Sequence, residues 1–275
     1  MSRGRSRSAG DDGRVDLSIL PMRLAELVDV PVSVGRYGHA GGDVATVPVL
    51  SYLIEGSEIG PVLFDLGCAP PAHAAASGRP VVRDHRTIGE ALVEAGRDPA
   101  TVRTVVVSHL HWDHCVGLAD LPNARMLVQR EEIRFAFAPD PEQWRPYDAW
   151  ENGRDPVWTE VLDRIDPLDG TVRLADGLTV LPTPGHTPGS QSLLVSSAPQ
   201  PFLLCGDLMT SYENWRGIAG RPDGRGSRVP PGIHHDLQAW RTSMDRLELS
   251  SWVPLPAHDP RVFEVLAGRW DPRQS

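Results

Sequence analysis

The chain has 275 residues, enough for one large domain or two small ones. At 40% hydrophobic and 23% charged residues, its composition is that of an ordinary soluble globular protein. A net charge of −9 without a dense basic run weighs against non-specific nucleic-acid binding, and no stretch approaches the ~20 apolar residues of a membrane span.

Met1 to Arg14 carries Arg3, Arg5 and Arg7 with no apolar core after them, so it reads as a disordered tail rather than a signal peptide. Apolar segments then recur between turn residues: 15–28, 47–54, 61–64 and 103–107. Gly56 and Gly60 make residues 47–66 a hairpin. Ile88, Leu92 and Val93 at helical spacing, with Gly96 as a stop, predict a helix from Thr87 to Ala95. A further helix is expected from Gln129 to Phe137. Residues 139–167 break this rhythm with Trp144, Tyr147, Trp150 and Trp158 among Pro, Asp and Gly. That stretch reads as a surface insertion whose aromatics either complete the core or cap a site with an apolar wall. Strands follow over 171–181, 191–195 and 202–204, and Asp236 is an N-cap for a last helix ending at Leu249. The segments 35–42, with Tyr37 and His39, and 215–231, rich in Gly and Arg, are too irregular for core and suit pocket rims. Strands then helix, twice over, suits an α/β protein with two packed β-sheets and helices outside, in one domain spanning 15–275.

The run Ser108-His109-Leu110-His111-Trp112-Asp113-His114 follows the apolar Val105-Val106-Val107 directly. Imidazole and carboxylate are the ligands of zinc and its neighbours. Alternate strand residues share a face, so His109 and His111 point to one side, and the loop turns Asp113 and His114 toward a second position. His186 in Pro184-Gly185-His186-Thr187-Pro188-Gly189 follows the apolar 178–181. Asp207 follows 201–204, and His258 in Pro256-Ala257-His258-Asp259 follows 252–255. Each candidate ligand thus comes just after a short apolar strand, which lets several strands deliver ligands to one sheet edge. His109, His111 and His186 suffice for one metal, and Asp113, His114 and His258 for a second, with Asp207 left to bridge them. Two metals about 3.5–4 Å apart form a hydrolytic clamp. Cys68, Cys115 and Cys205 show no pairing pattern and suit reduced thiols in a cytoplasm, with Cys115 and Cys205 as packing residues rather than ligands. His234 and His235 read as surface residues, and His39, His73 and His85 lack partners in any recognisable spacing.

The order His-x-His-x-Asp-His, Gly185-His186, Gly206-Asp207 and late His258 resembles the metallo-β-lactamase superfamily. Residues 108–114, 183–189 and 191–194, and the order Asp207, Glu213, Asn214, are similar to the quorum-quenching N-acyl homoserine lactonases within it, over roughly residues 15–260. The resemblance implies a four-layer αβ/βα sandwich, two mixed sheets face to face. It implies two divalent metal ions per chain, zinc first, with Co, Mn or Fe also suited to these ligands. It further implies opening of a lactone ring by hydroxide generated at the metals, with Asp113 holding the water and passing its proton to the leaving oxygen. Phe64-Asp65-Leu66-Gly67 resembles the superfamily's Asp-x-Gly, whose carboxylate holds the metal loop. Asp259, next to a ligand, is either structural or a partner of that kind. In the lactonases a tyrosine three residues after the bridging aspartate donates to the substrate carbonyl. Here that position is Thr210, and Tyr212 is the nearby phenol to which the role is assigned. The scaffold also hosts glyoxalase II-like thioesterases and biosynthetic hydrolases of specialised metabolites, which stand as alternatives. The partner implied is a small-molecule lactone or ester, with no nucleic acid or membrane, and a monomer or homodimer.

Overall fold

The computed structural model describes residues 15–148, 155–197, 199–216 and 228–274. The tail expected over 1–14 lies outside them, as does Trp150. A first sheet comprises β1 (Ser18–Pro31), β2 (Val44–Glu55), β3 (Val62–Phe64), β4 (Val81–Arg83), β5 (Thr104–Val106), β6 (Arg125–Gln129) and β7 (Ile165–Leu168), in the order β4-β1-β2-β3-β5-β6-β7. Its β4, β1, β2 and β3 pair antiparallel, while β3, β5, β6 and β7 run parallel. A second sheet comprises β8 (Val172–Ala175), β9 (Leu178–Pro182), β10 (Gln191–Val195), β11 (Phe202–Gly206) and β12 (Val253–Pro256), in the order β12-β11-β10-β9-β8. Only β11 and β12 are parallel there.

Strand alternation explains how the sheets stack. Tyr52, Ile54, Val62, Phe64 and Val106 share a core with Leu178, Val180, Leu193, Leu203 and Leu255 of the second sheet. The intervening Leu53, Leu63 and Val105 turn to the opposite face and meet Ile88, Ala91 and Leu92 of helix α3 (Ile88–Glu94). A sheet covered on both faces needs apolar residues on both, which is why 49–54 is buried without a break. Trp240, Met244 and Leu247 of helix α6 (Leu237–Glu248) close the core from the second sheet's side. The result is the four-layer αβ/βα sandwich with two mixed sheets. The remaining helices are α1 (Val32–Gly35), α2 (Pro71–Ala76), α4 (Arg130–Phe137), α5 (Tyr212–Arg216) and α7 (Val262–Leu266).

The expected hairpin 47–66 is β2–β3, and the expected helices near 88, 130 and 237 are present. At α3, Thr87 accepts from the Glu90 N–H and the Glu90 carboxylate accepts from the Thr87 N–H, a reciprocal cap that fixes the start of the helix. Asp236 accepts from the N–H groups of Gln238 and Ala239. The strand stretch expected over 171–181 is the hairpin β8–β9, in which Gly177 (φ 78°) reverses the chain. The stretch 139–167 runs on into sheet structure: its end is the edge strand β7, where Pro167 is tolerated because an edge has unpaired positions. Within it Tyr147 and Trp158 are fully buried and Trp144 is half exposed. Among the described residues no helix is long and apolar enough to cross a membrane.

Candidate metal centre

Strands β9, β11 and β12 point the same way, as do β3 and β5, so the loops after them gather at one edge of the sandwich. His109, His111, Asp113 and His114 lie in the loop after β5, His186 follows β9, Asp207 follows β11, and His258 follows β12. Gln191, at the start of β10, stitches the two sheets together there. Its N–H donates to the Ser108 carbonyl (2.9 Å), and its side-chain amide donates to the carbonyls of Val107 (2.7 Å) and Leu127 (2.9 Å). Gly206 has φ 49°, and a Cβ on it would lie 2.5 Å from Ser108 Cβ, so only glycine lets the end of β11 meet the β5 loop.

All seven expected ligands come together. His111 Nδ1 lies 2.8 Å from His109 Nε2 and 3.1 Å from His186 Nε2. Asp207 turns one oxygen toward each side: Oδ2 is 3.4 Å from His186 Nε2, while Oδ1 is 3.5 Å from His114 Nε2 and 3.3 Å from His258 Nε2. Asp113 completes the second side, 3.8 Å from both His114 Nε2 and His258 Nε2. Three overlapping groups are close enough to hold a metal ion: His109, His111 and His186; His109, His114 and Asp207; Asp113, His114 and His258. The donor set fits metals on physical grounds as well. His114 Nε2 and Asp207 Oδ1 are buried without a hydrogen-bond partner, which costs roughly 1–3 kcal/mol per group unless something charged satisfies them. Three imidazole nitrogens facing one another in a dry site pose the same problem, and a cation at their centre resolves it.

The opposite nitrogen of every ring is also engaged. His109 Nδ1 meets Ser108 Oγ (2.9 Å), His111 Nε2 meets Gln143 Oε1 (3.4 Å), and His114 Nδ1 meets Asp65 Oδ2 (2.9 Å). His186 Nδ1 meets the Ile233 carbonyl and His258 Nδ1 the Pro48 carbonyl, both at 2.8 Å. Such partners set which nitrogen faces inward and how basic it is. Asp65 sits at φ 60°, a conformation that Asp tolerates better than most residues, and it also accepts from the Ser108 N–H (2.7 Å) and hydroxyl (2.9 Å). Burial, with the neighbouring imidazoles, pushes His109 and His111 well below the usual histidine range, so both are neutral. Burial pulls His114 and His258 down too, but Asp207, with Asp65 or Asp113, outweighs it and raises both. Burial would raise Asp207; His258 and His114 overcome it and hold that carboxylate well below its usual range, hence ionised.

The structure does not bring Tyr212 to this cluster, which corrects its assignment as a substrate-contacting phenol. The chain enters α5 at Tyr212, whose N–H donates to Asp259 Oδ2 (3.0 Å) and whose ring is fully buried edge-on to Trp270. Its hydroxyl donates to the Pro254 carbonyl (3.0 Å). The Thr210 hydroxyl is also committed, to Asn214 Oδ1 (3.0 Å), while the Thr210 carbonyl accepts from the His258 N–H (3.0 Å). Tyr212→Phe should therefore keep its kcat/KM on the best substrate and lose about 1–2 kcal/mol of stability, measured by denaturant unfolding, for the stranded Pro254 carbonyl. A hundredfold loss of kcat at unchanged stability would restore the catalytic assignment. Asp259 is a bracing residue, holding Tyr212 N–H and the Arg261 guanidinium.

The three thiols are free and buried. Cys115 and Cys205 donate to the carbonyls of Leu110 and Leu255, and burial beside Asp113 pushes Cys68 up to about 12. His39, His73 and His235 pair with Asp43, Asp148 and Asp140 and are in none of the three groups that could hold a metal ion. Of the two expected rims, Tyr37 stands half exposed with its ring edge-on to His234, while 217–227 lies outside the described residues. Sequence reasoning missed Ser108, Gln143 and Gln191 as partners. Ser108 and Gln191 sit inside the motifs themselves, whereas nothing in the spacing marks Gln143.

The chain belongs to the metallo-beta-lactamase superfamily, whose family model matches residues 44–257. It is similar to the N-acyl homoserine lactonase AttM of Rhizobium radiobacter, 38% identical over 135 residues, or 44% of this chain and 46% of that protein. The match thus spans about half the length of that relative. Among solved structures it resembles an N-acyl homoserine lactone hydrolase with the product N-hexanoyl-L-homoserine bound at the catalytic metal centre. There the TM-score is 0.66 at 22% identity, covering 92% of this chain and 96% of the other. It also resembles AidC, a dizinc quorum-quenching lactonase, with a TM-score of 0.66 at 18% identity over 90% and 89% of the two chains. At these identities the structural likeness is one of fold.

Proposed function

We propose that the protein is a dinuclear metal hydrolase, zinc first among the candidate metals, that opens an N-acyl homoserine lactone or a related cyclic ester. One observation carries this reading: seven His and Asp side chains from four loops converge with Asp207 between two trios. The resemblance to lactonases supports the substrate class. Two divalent cations bound in such a site would supply a lowered pKa for bound water and polarisation of a carbonyl. His109, His111 and His186 would hold one and Asp113, His114 and His258 the other, with Asp207 shared. The Asp113 side chain is 15% exposed against 2% for His114, so water reaches it more readily. It can accept a hydrogen bond from the attacking water and return that proton to the ring oxygen as the C–O bond breaks.

Protein purified without chelator should contain two metal equivalents by elemental analysis and release acid from N-acyl homoserine lactones. Chelation should abolish turnover and zinc restore it. In ¹⁸O-labelled water the label should enter the product acid and leave the protein unlabelled. A stable maximum of one equivalent would sink the shared centre, and faster turnover of glutathione thioesters than of any lactone would move the assignment to a thioesterase. The same reading places the protein in the cytoplasm, where its three thiols stay reduced; recovery from an exported fraction would contradict it.

A further inference from the structure

We infer that residues 139–148 act as a clamp on one metal position only, the one formed by His109, His111 and His186, and so set its affinity independently of the other. The inference rests on the two-metal reading above. Gln143, 2% exposed, reaches both outer ligands of that position: Oε1 is 3.4 Å from His111 Nε2 and Nε2 donates to the His186 carbonyl (3.0 Å). The Tyr147 ring stands edge-on to His111 with centroids 4.5 Å apart. The imidazole of His111 is thereby held on two sides by one short segment.

A buried carboxylate locks the clamp to both ligand loops. Glu132 of α4, with no exposure, accepts from the Tyr147 hydroxyl (2.6 Å) and from the N–H of Leu110 (2.9 Å), the residue between His109 and His111. Its other oxygen accepts from the hydroxyl of Thr187 (2.6 Å), next to His186. Gly189 permits this approach, because a Cβ there would sit 2.0 Å from Glu132 N. At its far end the segment is pinned by the buried Arg79–Asp148 pair, and by the Trp112 N–H donating to the Pro146 carbonyl (2.9 Å). His114 and His258 are oriented differently: their partners are Asp65 and the Pro48 carbonyl, at β3 and in β2 of the first sheet. Of the clamped position's three rings, His111 is oriented by this irregular segment, which also holds the His186 carbonyl, whereas the rings of His109 and His186 meet Ser108 and the Ile233 carbonyl.

A partner oriented on a metal-bound imidazole is typically worth 10- to 100-fold in metal affinity. Gln143→Leu should therefore weaken zinc binding by about tenfold or more, read by chelator competition in a His258→Ala background, where the clamped position remains. In a His186→Ala background, where the other position remains, the same substitution should change affinity less than about twofold. Tyr147→Phe removes only the hydroxyl held by Glu132 and is measured in the same two backgrounds, should Gln143→Leu not fold. Selective weakening by either variant supports the clamp. Equal weakening in both backgrounds, or no change in either, overturns it. Absence of zinc binding in both backgrounds with Gln143 and Tyr147 intact would overturn the two-metal reading itself, and the clamp with it.

Discussion

Asp207→Ala should leave a folded protein that no longer retains two metal equivalents and whose hydrolytic activity has fallen at least about a hundredfold, since even an outer partner of a ligand is worth roughly 10- to 100-fold. Among the described residues Asp207 is the one carboxylate with an oxygen toward each trio, and His114, His186 and His258 all face it within 3.5 Å. Truncation removes the negative charge that would offset two cations in a buried site, so the second would be held less tightly beside the first. The fold should survive, because Asp207 Oδ1 makes no hydrogen bond that the protein itself needs. Elemental analysis beside circular dichroism separates the two effects. Retention of two equivalents at full turnover would show that the carboxylate is not shared.

Asp65→Ala should have the largest combined effect on stability and metal binding. The substitution strands three buried donors, the Ser108 N–H, the Ser108 hydroxyl and the His114 ring, and leaves a non-glycine residue at φ 60°. Unsatisfied buried groups cost about 1–3 kcal/mol each, so a loss of about 3 kcal/mol or more is expected, or roughly 6–12 °C in Tm for a chain of this class. Asp65→Asn keeps the shape and one accepting oxygen. It should lose less stability while still weakening metal retention about 10- to 100-fold. Thermal unfolding with and without zinc tests both. Asp65→Ala with unchanged Tm and metal content would remove Asp65 from the support of the β5 loop.

The clustering of these seven His and Asp side chains was legible in the sequence because each comes just after a short apolar strand, and strand direction then fixes where it lands. The two packed sheets with helices outside are legible in the order of the elements, strands then helix twice over, and the four-layer form in the family resemblance. What failed is where local pattern and tertiary role diverge. Counting from Asp207 leads to Thr210, and Tyr212 is the nearby phenol given its role; the helix start at Tyr212 and its tie to Asp259 rotate that phenol into the core. Glu132 shares the buried face of α4 with Ala136, whereas hydrophobic patterning assigns a glutamate to solvent. Gln143 and β7 fall in a segment with no periodicity, where Asp166 and Pro167 disguise an edge strand. The three-residue β4 is too short for any period to show.

The division of the ligands between the sheets bears on how the protein folds and persists. His109 to His114 belong to the first sheet's edge, while His186, Asp207 and His258 belong to the second's. Each trio therefore straddles the interface, and neither half of the chain holds a whole position alone. Metal captured by such a site stabilises the docking of one sheet on the other, so part of the cohesion of the sandwich is set by mass action rather than by contacts alone. A cation at a hundredfold excess over its dissociation constant adds about 2.7 kcal/mol. That is a sizeable share of the 5–15 kcal/mol that separates most domains from their unfolded chains. Along the chain the first position has all its ligands only with His186, and the second only with His258.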